Sequence, residues 1–148
     1  MTSPESLRRY PHFAKIPYPS LKAIASISLE RNFEAGERLL AEGERAESLI
    51  VLTAGQVELV YDLPRGKRVV VGSLVPGDLV AVSAVLDPNV HTLSAYAREK
   101  GSLIAIDAAG LLQLCEENPE VGFRLMTQVA KALRARLGDV RVELAGVS

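Results

Sequence analysis

Histidine, cysteine and tryptophan are nearly missing from this 148-residue chain, which holds two histidines, one cysteine and no tryptophan. Each shortage removes a class of function. With Cys115 alone no internal disulfide can form, which fits a reducing compartment. Set among Leu111, Leu112 and Leu114, it reads as a small buried hydrophobe rather than a nucleophile. His12 and His91 lie far apart with no cluster of histidines and carboxylates around them, so we expect no metal site. Motifs for a nucleophile elbow, a P-loop and a zinc protease are absent, and we expect no catalytic residues and no enzyme.

Surplus positive charge is also lacking. Seventeen Lys and Arg face eighteen Asp and Glu, a net charge of −1, which gives no general attraction to a phosphate backbone. The basic run Arg65-Gly66-Lys67-Arg68 reads as a solvated hairpin tip. No uncharged stretch approaches membrane-spanning length. The first thirty residues carry Glu5, Arg8, Arg9, Lys15 and Lys22 and no signal-peptide core. A soluble, cytoplasmic protein without membrane contact is expected.

What is present is a change of grammar along the chain, with no linker or repeat, which predicts one domain over 1–148. Residues 1–28 read as helices: Ser3-Pro4-Glu5 is an N-cap with proline in the first turn, and Pro19-Ser20 precedes an apolar run through Leu21, Ile24 and Ile27. From 29 to 107 short Val, Ile and Leu strands are punctuated by glycines. "SLIVLTAGQVELVYD" gives two strands joined at Ala54-Gly55, and a hairpin turns at Arg65-Gly66-Lys67. The fold class that follows is mostly β with α: an antiparallel, jelly-roll-like β-roll flanked by N-terminal helices and a long C-terminal helix.

Residues 108–146 return to helix, with Asp107 as one N-cap, then Asn118 capping a helix that begins at Pro119. On that last helix Met126, Val129, Leu133, Leu137, Val140 and Leu144 recur at spacings of three and four. The stripe is longer than a small roll covers, so it predicts a homodimer through this helix, with packing on its own roll as the alternative. Gly138 weakens the helix by about 1 kcal/mol relative to alanine.

Three stretches together resemble a cyclic nucleotide-binding domain of the catabolite-activator and fumarate-nitrate-regulator class. "FEAGERLLAEGERAESLIVLTAGQVELV" is similar to the family's F-x-x-G-x-x-L-x-x-x-G and L-x-x-G-x-V stretches. "LVPGDLVAVSAVL" resembles its glycine-acid hinge and short helix, and "NPEVGFRLMTQVAKALRARL" its central dimerisation helix. The resemblance implies cAMP or cGMP as ligand, held by amides at a short helix start and by a charge-assisted partner. Carried onto this chain, Gly77 gives close backbone approach and Asp78 takes the ribose-binding acid's position. Leu79, Val80 and Ala81 offer the amides.

The sequence departs from that pattern at the phosphate. Between 76 and 97 there is no Arg or Lys, and the family's arginine, followed by a small hydroxyl or alanine, falls on Asn89, Val90 or His91 according to register. His91 either supplies partial positive charge beside the Thr92 hydroxyl or points outward with no ligand at all. The family's threonine-serine pair on the central helix falls at Arg136 and Leu137, so adenine selectivity does not carry over. The expectation is a regulatory sensor of a small anionic ligand with weak or altered cyclic-nucleotide binding. Its alternative is a ligand-free dimerisation or protein-docking scaffold of the same fold. The helix-turn-helix of many relatives would follow the central helix, and the chain stops at Ser148, so no direct DNA binding is expected.

Overall fold

A computed structural model describes residues 2–147, with side chains through residue 138. Ser3 accepts a hydrogen bond from the Ser6 N–H and starts α1 (Pro4–Arg8) as its sequence predicts. α2 (Tyr18–Ser26) begins slightly before the expected Pro19-Ser20, because a proline within the first helical turn forgoes only an N–H that has no helical partner there.

Eight strands follow: β1 (Ser28–Phe33), β2 (Arg38–Leu40), β3 (Ser48–Ala54), β4 (Val57–Asp62), β5 (Arg68–Leu74), β6 (Leu79–Val80), β7 (Ser94–Ala97) and β8 (Gly101–Asp107). They form two four-stranded antiparallel sheets, ordered β1-β8-β3-β6 and β2-β7-β4-β5. This is the antiparallel roll. The turn at Ala54-Gly55 joins strands of different sheets, and Gly55 makes the crossing at φ +91, where a Cβ would meet the Gly101 Cα and the Lys100 carbonyl at 3.0 Å. β4 and β5 do form a hairpin, closed at its tip by Leu63 N–H donating to the Lys67 carbonyl at 2.7 Å.

The first sheet is buried on both faces at β3 and β6 and in the middle of β8, which explains the unbroken apolar run of β3, while β1 is exposed along its centre. Leu49, Val51, Leu79, Ile104 and Ile106 face a cluster built with Phe13, Leu21, Leu111, Leu125 and Val129 from the helical layer. The alternate residues Ile50, Leu52, Val80 and Leu103 face inward and pack with Leu59, Leu74 and Ala95 of the second sheet.

α3 (Ala108–Glu117) is capped by Asp107, which accepts from the Gly110 N–H at 2.9 Å. α4 (Pro119–Val147) starts on its proline as expected. The stripe on α4 divides. Val129 is 2% exposed inside the protomer's own core, which its side chain helps to build, and Met126 is partly buried against that core. Leu133 and Leu137, one and two turns further on, are 41% and 50% exposed. The side chains of Val140 and Leu144 lie outside the described residues.

Candidate functional site

Val75, Pro76, Gly77 and Asp78 form a tight turn between β5 and β6. Proline stands second and glycine third with φ +99, the requirement of a type II turn. Asp78 stiffens the turn from both ends: its N–H donates to the Val75 carbonyl at 3.0 Å and its Oδ2 accepts the Val75 N–H at 2.9 Å. The carboxylate that the resemblance assigns to ribose thus already holds a main-chain donor.

Leu79 and Val80 lie in a strand rather than at a helix start. The Leu52 N–H donates to the Asp78 carbonyl, and Val51 stands opposite Leu79 and Ile50 opposite Val80. Antiparallel alternation then directs Val80's main chain toward β3 and turns Leu79's N–H and C=O outward, on the open edge of the sheet. Ala81 adopts a left-handed conformation, φ 63, and leads a single 3-10 turn at Val82–Val85. That turn is four residues long, and Val82, Ala84 and Val85 are all buried.

The three positions considered for the arginine have other tasks. Asn89, at φ 61, donates its amide to the Ala84 carbonyl at 2.8 Å and holds the end of the 3-10 turn. Val90 is exposed and bridges Arg45. His91 is buried, its N–H donating to the Glu44 carbonyl and its carbonyl accepting from Gly43. Desolvation pushes the His91 imidazole below its ordinary pKa, against the opposing pull of Glu44, which favours the neutral ring. Thr92 is exposed.

β7 itself begins one step later, with Ser94 and Ala95 following Leu93. Leu93 packs against the inner cluster that holds Val80, Ala81 and Ala95. Leu93-Ser94 therefore offers a fourth register, with leucine where arginine would stand and the small hydroxyl of Ser94 directly after it. Ser94 is 1% exposed and fully engaged, donating to Asp62 Oδ2 and accepting the Glu42 N–H, both at 3.0 Å.

Residues distant in sequence complete the surroundings of the turn. His12 Nε2 donates to the Gly77 carbonyl at 2.7 Å, and its Nδ1 lies 3.3 Å from Gln128 Oε1 on α4. Arg136 donates to the outward carbonyl of Leu79 at 2.6 Å. Burial lowers the Arg136 pKa while the Asp78 carboxylate opposes that shift. Between turn and helix lies a cleft of about 230 Å³ whose lining includes Ser73, Asp78, Leu79, Lys131 and Arg136 and none of residues 80–97. Periodicity could not pair Arg136 with Leu79, since the link depends on how α4 lies across the roll.

Burial raises the pKa of Cys115, which sits against the helical core and stays a thiol. Among the described residues no group of three His, Cys, Asp or Glu side chains is placed to hold a metal ion, and no helix is long and apolar enough to cross a membrane.

Comparison with known proteins agrees with this architecture. The family model described as "Cyclic nucleotide-binding domain" matches residues 30–118. A CRP-like cAMP-activated global transcriptional regulator of Mycobacterium tuberculosis is 24% identical over 130 residues, which are 88% of this chain and 58% of that protein. A Geobacter metallireducens protein, provisionally named a cyclic nucleotide-binding protein, is 39% identical with a TM-score of 0.84, over 93% of this chain and 99% of that one. The catabolite activator protein of Thermus thermophilus superposes with a TM-score of 0.71 at 24% identity, over 92% of this chain and 63% of that one, a likeness of fold. The chain spans little more than half the length of the curated relatives it matches.

Proposed function

The chain belongs to the cyclic nucleotide-binding domain family, and from that premise we propose that it is a regulatory sensor whose inherited phosphate site has lost its charged partner. cAMP and cGMP then bind weakly. One observation carries this reading: the segment from 76 to 97 offers no Arg or Lys, and its one titratable base, His91, is buried with a lowered pKa. The supporting geometry is consistent. Val80 lies in the apolar cluster between the sheets with Leu93 packed against it, and one oxygen of the Asp78 carboxylate is held by its own turn. Loss of a charge-assisted contact weakens binding by about 1.5–3 kcal/mol, or roughly 10 to 100-fold.

In this mechanism a ligand tightens the 77–86 segment, and the movement reaches α4 through the two contacts on the turn, His12 to Gly77 and Arg136 to Leu79. Calorimetry with cAMP and cGMP at acid and alkaline pH tests it. The expected result is weak binding at both, with no gain on acidification, since His91 resists protonation. Micromolar affinity for either nucleotide would refute the reading.

The exposure of Leu133 and Leu137 favours a second role, dimerisation through the outer part of α4. It is compatible with sensing and, without a ligand, would suffice for a docking scaffold. A screen of cyclic mono- and dinucleotides for any rise in melting temperature separates the two, because a ligand of the native state must stabilise it.

A further inference from the structure

Among the described residues, the cleft between the turn at 75–79 and α4 holds positive charge that no ion pair neutralises. The Arg136 guanidinium is partly buried, and among the described residues its one side-chain hydrogen bond is to the Leu79 carbonyl and no carboxylate comes within ion-pair distance of it. Lys131, five residues earlier on α4, lines the same cleft and also has no described ion-pair partner. The opposing charge is Asp78, whose Oδ2 is already engaged by the Val75 N–H. Among the described lining residues two cations thus face one anion.

The remaining walls are suited to a ligand with two ends. Leu79's outward N–H lies on the same sheet edge as the carbonyl that Arg136 holds, and the Ser73 hydroxyl stands nearby as a second neutral donor. Leu74 and Ala135 supply apolar surface. The volume, about 230 Å³, falls below the roughly 300–1,000 Å³ typical of pockets for drug-sized molecules, which limits the occupant to a small one.

We propose that this cleft is a binding site for a small organic anion, a carboxylate or phosphate monoester on a short apolar body, whose charged end is held by Arg136 and Lys131. The site lies outside the roll interior and stands whether or not the roll binds a nucleotide. Its occupant competes with the Leu79 carbonyl for the guanidinium, so binding alters one of the contacts that join the turn to α4.

Phenyl phosphate is a suitable probe, with benzyl alcohol as the neutral control, each titrated into the full chain while backbone amide resonances are followed. Expected are shifts at Gly77, Asp78 and Leu79 and along α4 around 131–136 with phenyl phosphate only. Arg136→Gln should weaken the affinity about tenfold or more, as loss of a charge-assisted partner does. Lys131→Gln, at an exposed position that leaves folding intact, should weaken it about threefold. If Arg136→Gln does not fold, Lys131→Gln decides alone. No shift at millimolar phenyl phosphate, equal shifts with benzyl alcohol, or an affinity unchanged by Lys131→Gln would each overturn the proposal. Calorimetric titration of cAMP into the same variants keeps this result separate from the behaviour of the roll.

Discussion

At His91 the chain buries an imidazole, 9% exposed, whose main chain is held on both sides by the Gly43 and Glu44 strand connection. Desolvation lowers its pKa, so the folded state binds fewer protons than the unfolded chain wherever the two differ. The stability that this group contributes is therefore complete above about pH 6.5, the unfolded value, and is lost as the pH falls through the folded one. Chemical denaturation from about pH 8 down to pH 5 should show the native protein losing stability more steeply than His91→Gln. Parallel curves for the two proteins would contradict this assignment. The sequence identified His91 as the base of the segment, but its burial follows from pairing with residues nearly fifty positions away, which no local pattern records.

Among the elements, helix boundaries were the most legible. Ser3, Asp107 and Pro119 act through groups within three residues of themselves, so their chemistry determines the local outcome. Asp107→Ala removes the acceptor of the Gly110 N–H and should cost about 1 kcal/mol, read from the denaturation midpoint at constant slope. A change below a few tenths would mean that water replaces the cap. Strand positions were legible from the glycine punctuation, whereas strand partners were not: the crossing at Ala54-Gly55 has the local signature of a hairpin, and only sheet membership reveals otherwise. The segment before β7 was hard to read for a related reason. Residues 86–93 form an irregular connection, so the placement of Leu93 depends on where pairing resumes.

For the molecule as a whole, the division of α4 shows how burial depends on neighbours. Its apolar period is a local pattern, but how far the protomer's own core extends beneath it depends on segments distant in sequence, and among the described residues cover ends between Val129 and Leu133. On the proposed dimer, Leu133→Glu combined with Leu137→Glu should give a monomer by light scattering while leaving thermal unfolding of the roll cooperative. An unchanged mass would remove the case for pairing through these leucines.

The two-faced sheet has a mechanical consequence. Alternate residues of β3 and β8 belong to opposite apolar clusters, so Leu49 and Val51 cannot leave the helices while Ile50 and Leu52 stay seated against the second sheet. One backbone is a common wall for both compartments. Loosening either compartment drags on the other, and the protein should melt in a single transition.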